Sequence, residues 1–411
     1  MKRTYWDLAQ FFEDWLRYPG IAWAGRRLSQ SRPAAVDHGA ERVLPEVIDW
    51  LCRAQDHSAS ADGGVARDYS LIRGWATSYP ETTGYIIPTL LAYAGRSART
   101  DLIGRARRMS DWLVSIQLPE GGFQGGRIDS RPIVPVTFNT GQILLGLAAA
   151  HRQFGGYAEP LVRAADWLVR TQDADGCWRR YPSPFALSGE KVYETHVAWG
   201  LLEADRLVPG RGYAEAALAN VRWALQSQTA NGWLNNCCLD GTTEPLTHTL
   251  GYALRGILEA YRYSRDPLLL AAARRTADGA LTALRPDGRL PGRLLPDWTA
   301  SVKWDCLTGS AQFAHCWLML FEESGESGYA EAGRRANAFV RRTVSIDGPP
   351  EVRGAVKGSF PVYGAYGRYQ YLNWAAKFLA DSLMLEIDTR QGAVSGSQYQ
   401  PTDASRSGAK A

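Results

Sequence analysis

Acidic and basic residues that could transfer protons stand at corresponding points of a repeating pattern in this 411-residue chain. The carboxylates are Glu81, Glu194 and Asp305, and the imidazoles are His196 and His248. Two carboxylates can flank a glycosidic bond as acid and base, and a histidine can remove a proton beside a sugar carboxylate. We therefore predict that these five residues are catalytic.

Aromatic, amide and cationic residues accompany them. Aromatic faces stack on pyranose rings, amides bind pairs of hydroxyl groups, and Lys or Arg can neutralise a uronate. The predicted substrate-binding residues are Tyr85, Asn139, Gln142, Tyr193, Trp199, Trp304, Lys357, Tyr363, Tyr366, Arg368, Tyr369 and Trp374. Helix capping explains some of the polar residues singly, but burying the whole set without a ligand would leave unpaired charges.

A segment that recurs every 55 to 62 residues must position this set. Four copies carry a Trp and then a Gln, and in three of them a Gly-rich turn with a second aromatic residue follows, as in Trp167, Gln172, Gly176 and Trp178. Two weaker copies have Gly279 and Phe339 at the Trp position. The six anchor positions are Trp50, Trp112, Trp167, Trp223, Gly279 and Phe339. A fixed period of this size indicates one repeated supersecondary unit, in which the Gln and Trp residues are predicted to join neighbouring hairpins.

Each repeat contains two predicted helices of different character. The first has a charged face, as where Arg163 and Asp166 alternate with Leu161 and Leu168, whereas the second is apolar nearly all round, as in residues 143–147. This contrast is typical of half-exposed outer helices and fully buried inner helices. The predicted fold class is therefore all-α, an (α/α)6 toroid over residues 40–387, with the polar set facing a central cavity.

The repeat also resembles a known motif. The copy from Arg163 to Trp178, and similarly that from Arg108 to Phe123, looks like the repeat of terpene cyclases and protein prenyltransferases. Six-hairpin glycosidases, polysaccharide lyases and sugar epimerases also have outer helices that end in such a turn. The resemblance covers roughly residues 40–386, and it implies the toroid more firmly than any activity.

Composition and the chain ends indicate the compartment of the protein and the kinds of partner that it is not expected to bind. No run of 18 apolar residues could span a bilayer, and the arginines are spread out instead of forming a nucleic-acid footprint. Acidic residues near the N-terminus interrupt any secretory signal, so a cytoplasmic protein is expected. Residues 1–39 predict an aromatic amphipathic helix that packs on the barrel or forms a homodimer contact. Residues 388–411 predict a disordered tail.

We predict a carbohydrate-active enzyme that hydrolyses, eliminates or epimerises an acidic, uronate-containing glycan, without a cofactor. The main alternative is a terpene cyclase: residues 304–308 are distantly similar to the acid motif of class II cyclases, which would make Asp305 the proton donor, although Leu307 interrupts the match. Protein prenyltransferases would need zinc on Asp305, Cys306 and His248, but their Asp-x-Cys spacing is absent, and we predict no metal. The third alternative is a glycan-binding toroid without catalysis.

The segment from Val352 to Lys377 is long, rich in Gly and Tyr, and lacks periodicity of its own. Such loops are usually functional or disordered. The sequence predicts a flexible lid over the cavity, in which Lys357 and Arg368 would pair with a substrate carboxylate or phosphate. The alternative is a rigid plug that joins the last hairpin to the first.

Overall fold

A computed structural model describes residues 33–187, 189–240 and 243–392, together with Leu16 and Gly20. The predicted N-terminal aromatic helix, apart from those two residues, and the tail beyond residue 392 lie outside these ranges. The described part of the chain contains twelve α-helices. They are α1 (Ala40–Asp56), α2 (Pro80–Gly95), α3 (Asp101–Ser115), α4 (Thr137–Phe154), α5 (Ala158–Thr171), α6 (Thr195–Asp205), α7 (Tyr213–Leu225), α8 (Thr247–Ser264), α9 (Pro267–Ala283), α10 (Leu307–Ser324), α11 (Ser327–Arg341) and α12 (Asn373–Arg390).

The even-numbered helices form the inner ring. Each packs on the next, and α12 packs back on α2, so the ring is closed. These helices are apolar on most sides and buried, whereas the odd-numbered helices have one buried face and one solvated face. This is the predicted (α/α)6 toroid. No helix among the described residues is both long and apolar enough to cross a bilayer.

The pairing of helices differs from the predicted hairpins in one respect. Each outer helix packs mainly on the inner helix that precedes it in the chain, and α1 packs on α12. The first and last helices therefore complete one pair, and this contact closes the toroid. Helix α12 also runs to Arg390, which is within the predicted tail.

The repeat turns join neighbouring outer helices, as predicted. The side-chain amide of Gln117 donates to the carbonyls of Gly121 and of Pro160, both at 2.9 Å, and Gln172 repeats the pattern with Gly176 and Ala216 at the same distance. The carbonyl in the next outer helix thus gains a partner at every such turn. The periodic glutamines are structural.

Long connections from outer to inner helices all lie at one end of the toroid. They carry five short strands: β1 (Asp68–Ser70), β2 (Gly74–Trp75), β3 (Asp305–Cys306), β4 (Ser359–Phe360) and β5 (Gln370–Leu372). Strand β1 pairs antiparallel with both β2 and β5, and β3 pairs antiparallel with β4. The first and last connections are thereby joined by a small sheet at the end where the inner helices begin.

Candidate functional site

A cavity of about 210 Å³ lies among the N-terminal ends of the inner helices. Its wall is aromatic and comes from five of the six connections and helix starts: Tyr79, Phe138, Tyr193, Tyr252, Tyr366 and Trp374. Its ionisable side chains other than tyrosine are Arg67, Glu81 and His248. A concave aromatic pocket with a few polar groups is the usual form of a small-molecule site.

Glu81 is the carboxylate in this cavity. It lies in the first turn of α2, where Pro80 starts the helix, and it is 8% exposed. Burial raises its pKa to about 7, while a hydrogen bond from Tyr79 and the charge of Arg67 act in the opposite direction. At neutral pH a large share of the Glu81 carboxyl groups is therefore protonated, which is what a proton donor needs.

His248 supplies a neutral imidazole to the same cavity. It lies in the first turn of α8, and its Nδ1 is 2.8 Å from Oε1 of Gln312 on α10. With an amide oxygen facing Nδ1, that nitrogen carries the hydrogen and Nε2 keeps its lone pair. Burial lowers the pKa of His248 to about 4, so the ring is neutral at pH 7 and can accept a proton.

His196 has the same kind of partner but lies outside the cavity lining. Its Nδ1 is 2.6 Å from Oε1 of Gln142, and its ring centroid is 4.6 Å from that of Tyr252. The His196 residue is fully buried, and its Nε2 has no hydrogen-bond partner among the described residues. The prediction that His196 faces the central cavity is therefore wrong: His196 packs against Tyr252, which lines the cavity, but does not line it itself.

Arg67 is the cation of the cavity. Its guanidinium group lies over the rings of Trp374 and Tyr79, at 5.0 and 5.9 Å from their centroids. Nη1 is 2.6 Å from Oδ2 of Asp68, which fixes the side chain, and 23% of the side chain remains exposed. Arg67 can therefore present a second edge of its fork to an anionic ligand.

The other two predicted carboxylates do not line this cavity. Asp305 is fully buried and accepts a hydrogen bond from Nε of Arg289 at 2.8 Å, outside the central space. Glu194 ends a single 3₁₀ turn, Val192–Glu194, and lies near Cys177 and Lys191, with burial raising its pKa well above the usual value. The prediction that three carboxylates face one cavity is wrong, since only Glu81 does.

The alternatives built on Asp305 lose their support in the same way. An ion-paired Asp305 outside the cavity cannot protonate a ligand bound within it. Cys306 Sγ accepts a hydrogen bond from the backbone of Gly309, in a capping role. The described residues contain no cluster of His, Cys, Asp and Glu that could hold a metal ion.

The predicted substrate-binding residues fall into three groups. Tyr193, Tyr366 and Trp374 line the cavity. Tyr85, Asn139 and Gln142 lie beneath or behind its wall: the Tyr85 hydroxyl is 3.4 Å from that of Tyr252, and Asn139 donates to the Gln124 carbonyl at 3.3 Å. The remaining six, which do not line it, are Trp199, Trp304, Lys357, Tyr363, Arg368 and Tyr369.

The residues that do not line the cavity make other contacts or lie at the surface. Trp199 lies under Arg255, 4.5 Å from ring centroid to guanidinium carbon, in a separate cavity of about 420 Å³ at the opposite end of the toroid. Trp304 packs over Gly292, and Arg368 lies over the ring of Tyr369. Tyr363 is 38% exposed at the surface.

The segment 352–377 has the contacts of a plug and not of a lid. Lys357 is 5% exposed and donates to the Thr343 carbonyl at 2.5 Å. Gly354 is seated against the Glu46 carbonyl of α1, and Trp50 donates to the Glu351 carbonyl at 2.8 Å. The segment therefore ties the last connection to α1, and the prediction that Lys357 binds a substrate carboxylate is wrong.

Several lining residues were not predicted. Arg67, Phe185 and Leu239 lie in connections without helical periodicity, so the sequence pattern does not indicate which way their side chains point. Tyr79, Phe138 and Tyr252 lie at the helix starts, where the sequence predicts that side chains converge on the cavity, although they are not among the predicted substrate-binding residues. The sequence pattern therefore indicates the aromatic residues of the cavity wall better than it indicates Arg67.

Comparison with known proteins identifies the architecture. No protein-family model matches the sequence, and neither does any curated protein. An unsaturated glucuronyl hydrolase specific for heparin matches with a TM-score of 0.70 at 15% identity, over 87% of this chain and 99% of that one. An unsaturated glucuronyl hydrolase from Bacillus sp. GL1 matches at 0.67 and 14%, over 86% and 98%. Cellobiose 2-epimerase from Bacillus thermoamylovorans matches at 0.66 and 10%, over 84% and 97%.

These matches establish that the chain has the fold of six-hairpin α/α toroid proteins. They span nearly the whole of each neighbour, so the shared unit is the complete toroid. At such low identity they carry the fold and not the activity.

Proposed function

We propose that the protein is a carbohydrate-active enzyme that acts on the terminal uronate of an acidic glycan, with Glu81 as the proton donor. The observation that carries the proposal is a single buried carboxyl group of raised pKa in an aromatic cavity that also contains Arg67. Aromatic rings fit the faces of a pyranose, and Arg67 fits its carboxylate. The cavity lies at the end of the toroid, which suits the end of a glycan chain.

Glu81 is the one carboxylate among the described residues that line the cavity, which favours a mechanism other than the two-carboxylate mechanism of ordinary glycosidases. That mechanism needs a second carboxylate within about 10 Å of the first, on the other side of the scissile bond. Here the second ionisable group is the neutral imidazole of His248. An acid and a neutral base suit proton transfer at a uronate instead.

Water addition to a 4,5-unsaturated uronate is the reaction we favour, because several structural neighbours are unsaturated glucuronyl hydrolases. The double bond of such a sugar is conjugated with the ring oxygen, so Glu81 would protonate carbon 4 and leave the positive charge on carbon 5 and that oxygen. Water then adds to carbon 5 and gives its proton to His248. The resulting hemiketal opens and releases the remaining glycan.

The test uses unsaturated uronate disaccharides prepared from heparin, a galactosaminoglycan and pectin, monitored by the ultraviolet band of their double bond. Wild-type protein should remove the band from at least one substrate. Glu81→Gln should lower kcat by at least a hundredfold, as expected for loss of a general acid, with its melting temperature changed by only a few degrees. Loss of folding in this variant would be checked against Glu81→Asp, which keeps the acid.

Each other outcome points elsewhere. Appearance of the band from saturated polyuronates would indicate elimination, and exchange of carbon-bound hydrogen with deuterium in the solvent without a band would indicate epimerisation. Binding without any reaction would indicate a glycan-binding toroid. Failure to bind or alter any uronate would refute the proposal.

The aromatic wall also favours a second candidate, an isoprenoid cyclase in which Glu81 and not Asp305 is the acid. Carbocations are stabilised by aromatic faces, and neither Lys357 nor Lys377 is among the described residues that line the cavity. Arg67 discriminates between the candidates. Replacing Arg67 by Met should weaken uronate binding strongly, but a cyclase would tolerate it.

A further inference from the structure

A second depression adjoins the central cavity at the same end of the toroid. It has a volume of about 540 Å³ and lies along the sheet formed by β1, β2 and β5. Arg67 and Phe185 line both spaces, so the two spaces adjoin at these side chains. We call this depression the arginine cleft, after Arg67, Arg73 and Arg127, which line it.

The charges of the arginine cleft are unbalanced. Asp68 is the acidic residue of its lining, and it is paired with Arg67 at 2.6 Å. Arg127 pairs with Asp129 at 3.3 Å, and 45% of its side chain stays exposed. Arg73 lies in the turn between β1 and β2, and among the described residues its guanidinium group has no acidic partner. Because the Arg73 guanidinium group has no acidic partner in the described part of the chain, a ligand anion can bind it without displacing an existing ion pair.

The rest of the lining is suited to sugar. Trp75 is held by Tyr69 and His57, with ring centroids at 5.1 and 5.9 Å, and it remains partly exposed towards the cleft. The hydroxyl groups of Thr77 and Ser130 and the amide of Gln370 complete the polar surface. An aromatic ring held in place beside hydroxyl, amide and guanidinium groups matches the alternating faces and edges of an acidic oligosaccharide.

We infer that the arginine cleft binds the continuation of the glycan, so that the protein prefers acidic chains of several sugars to disaccharides. This inference rests on the proposed function, because the terminal uronate must occupy the central cavity for the chain to reach Arg73. The sugars beyond the first run along the sheet. Their carboxylates bind Arg73 and Arg127, and one ring lies against Trp75.

The test measures binding of oligogalacturonates of two and six units, each with a 4,5-unsaturated end, to the Glu81→Gln protein by titration calorimetry. Oligogalacturonates carry carboxylates without sulfate, and cellohexaose serves as the neutral probe of equal length. The six-unit ligand should bind at least tenfold more tightly than the two-unit ligand. Its affinity should fall more steeply with added salt, because exposed charges are screened.

Variants of single arginines localise the effect. Arg73→Ala should weaken binding of the six-unit ligand about tenfold, which corresponds to one lost charge-assisted hydrogen bond, and binding of the two-unit ligand less than twofold. The control is Arg222→Ala, since Arg222 is exposed on α7 and remote from the cleft, and it should affect neither ligand. Arg73→Glu should weaken the six-unit ligand further than Arg73→Ala.

The measurements distinguish failure of the arginine cleft from failure of the proposed function. Equal affinity for the two lengths, equal effects of Arg73→Ala on both, or equal affinity for cellohexaose would overturn the cleft while leaving the proposed function intact. An equal effect of Arg222→Ala would show diffuse attraction to a basic protein and would likewise overturn it. Absence of binding by both oligogalacturonates, with no uronate altered in the assay above, would overturn both proposals.

Discussion

At the scale of single residues, the cavity gives its two proton-transfer groups, Glu81 and His248, environments that shift their pKa values in opposite directions. Glu81 is buried among aromatic rings, which disfavours its charge, and His248 is buried against Gln312, which holds the neutral ring in one orientation. The carboxyl group is therefore held towards the protonated form and the imidazole towards the neutral form at the same pH. Arg67 limits how far the Glu81 pKa rises, and it also supplies the positive charge for an anionic ligand.

The raised pKa of Glu81 predicts a dependence of stability on pH. The folded protein holds the Glu81 proton up to about pH 7, whereas the unfolded chain releases it near its ordinary value of 4.5. The stabilisation is therefore complete below about pH 4.5 and lost as the pH rises towards 7, amounting to roughly 3 kcal/mol from that shift.

Urea unfolding of wild type and Glu81→Gln at pH 5 and pH 8 measures this effect. The glutamine variant lacks the titrating group, so its free energy of unfolding relative to wild type should increase by 1 to 3 kcal/mol, an order-of-magnitude range, between those pH values. An unchanged difference would mean that Glu81 is charged in the folded protein, and it could not then be the acid.

At the scale of elements, the repeat turns determine how the outer helices are spaced. Gly288 has a φ of +87°, and a Cβ there would come within 2.2 Å of the Arg335 carbonyl in the next outer helix. Gly354, with a φ of +77°, occupies the same kind of contact against Glu46 of α1. These close approaches set the angle at which one helix pair meets the next, and through it the position of the cavity wall.

Gly288→Ala should lower the free energy of unfolding by about 3 kcal/mol, since it combines a strained backbone with a steric clash. The matched control is Gly210→Ala. Gly210 has a similar φ of +80°, but a Cβ there would meet nothing within 4 Å. We expect about 1 kcal/mol for the control from backbone strain alone. Urea titrations would contradict the account if both substitutions cost the same.

At the scale of the whole molecule, the ring is closed by residues far apart in sequence. Arg341 of α11, 2% exposed, joins Asp37, ahead of α1, to Glu386 of α12. Trp50 and Gly354 make the corresponding contact through the plug. The cavity exists only in the closed ring, because Arg67 comes from the first connection and Tyr366 from the last.

The sequence predicted the toroid because its repeat is regular and its inner helices are apolar on most sides. It also predicted the end of the ring at which Glu81 and His248 would meet. It could not predict which way Glu194 and Asp305 point, because a residue at a helix start can face the axis or a neighbouring helix with the same spacing. The sequence did not predict Arg67, because its position next to β1 depends on the pairing of β1 with β5, 300 residues away in the chain. Local sequence patterns do not indicate such a distant pairing.

The central claim is that Glu81 and Arg67 share a cavity built for a terminal uronate. The most direct measurement is a crystal structure of the Glu81→Gln protein with an unsaturated uronate disaccharide. We expect the uronate ring among the aromatic residues of the central cavity, its carboxylate on the guanidinium group of Arg67 and its double bond within reach of the residue 81 side chain. A sugar bound only in the cavity beside Trp199 at the opposite end, or a central cavity that admits an isoprenoid and excludes the sugar, would contradict the account.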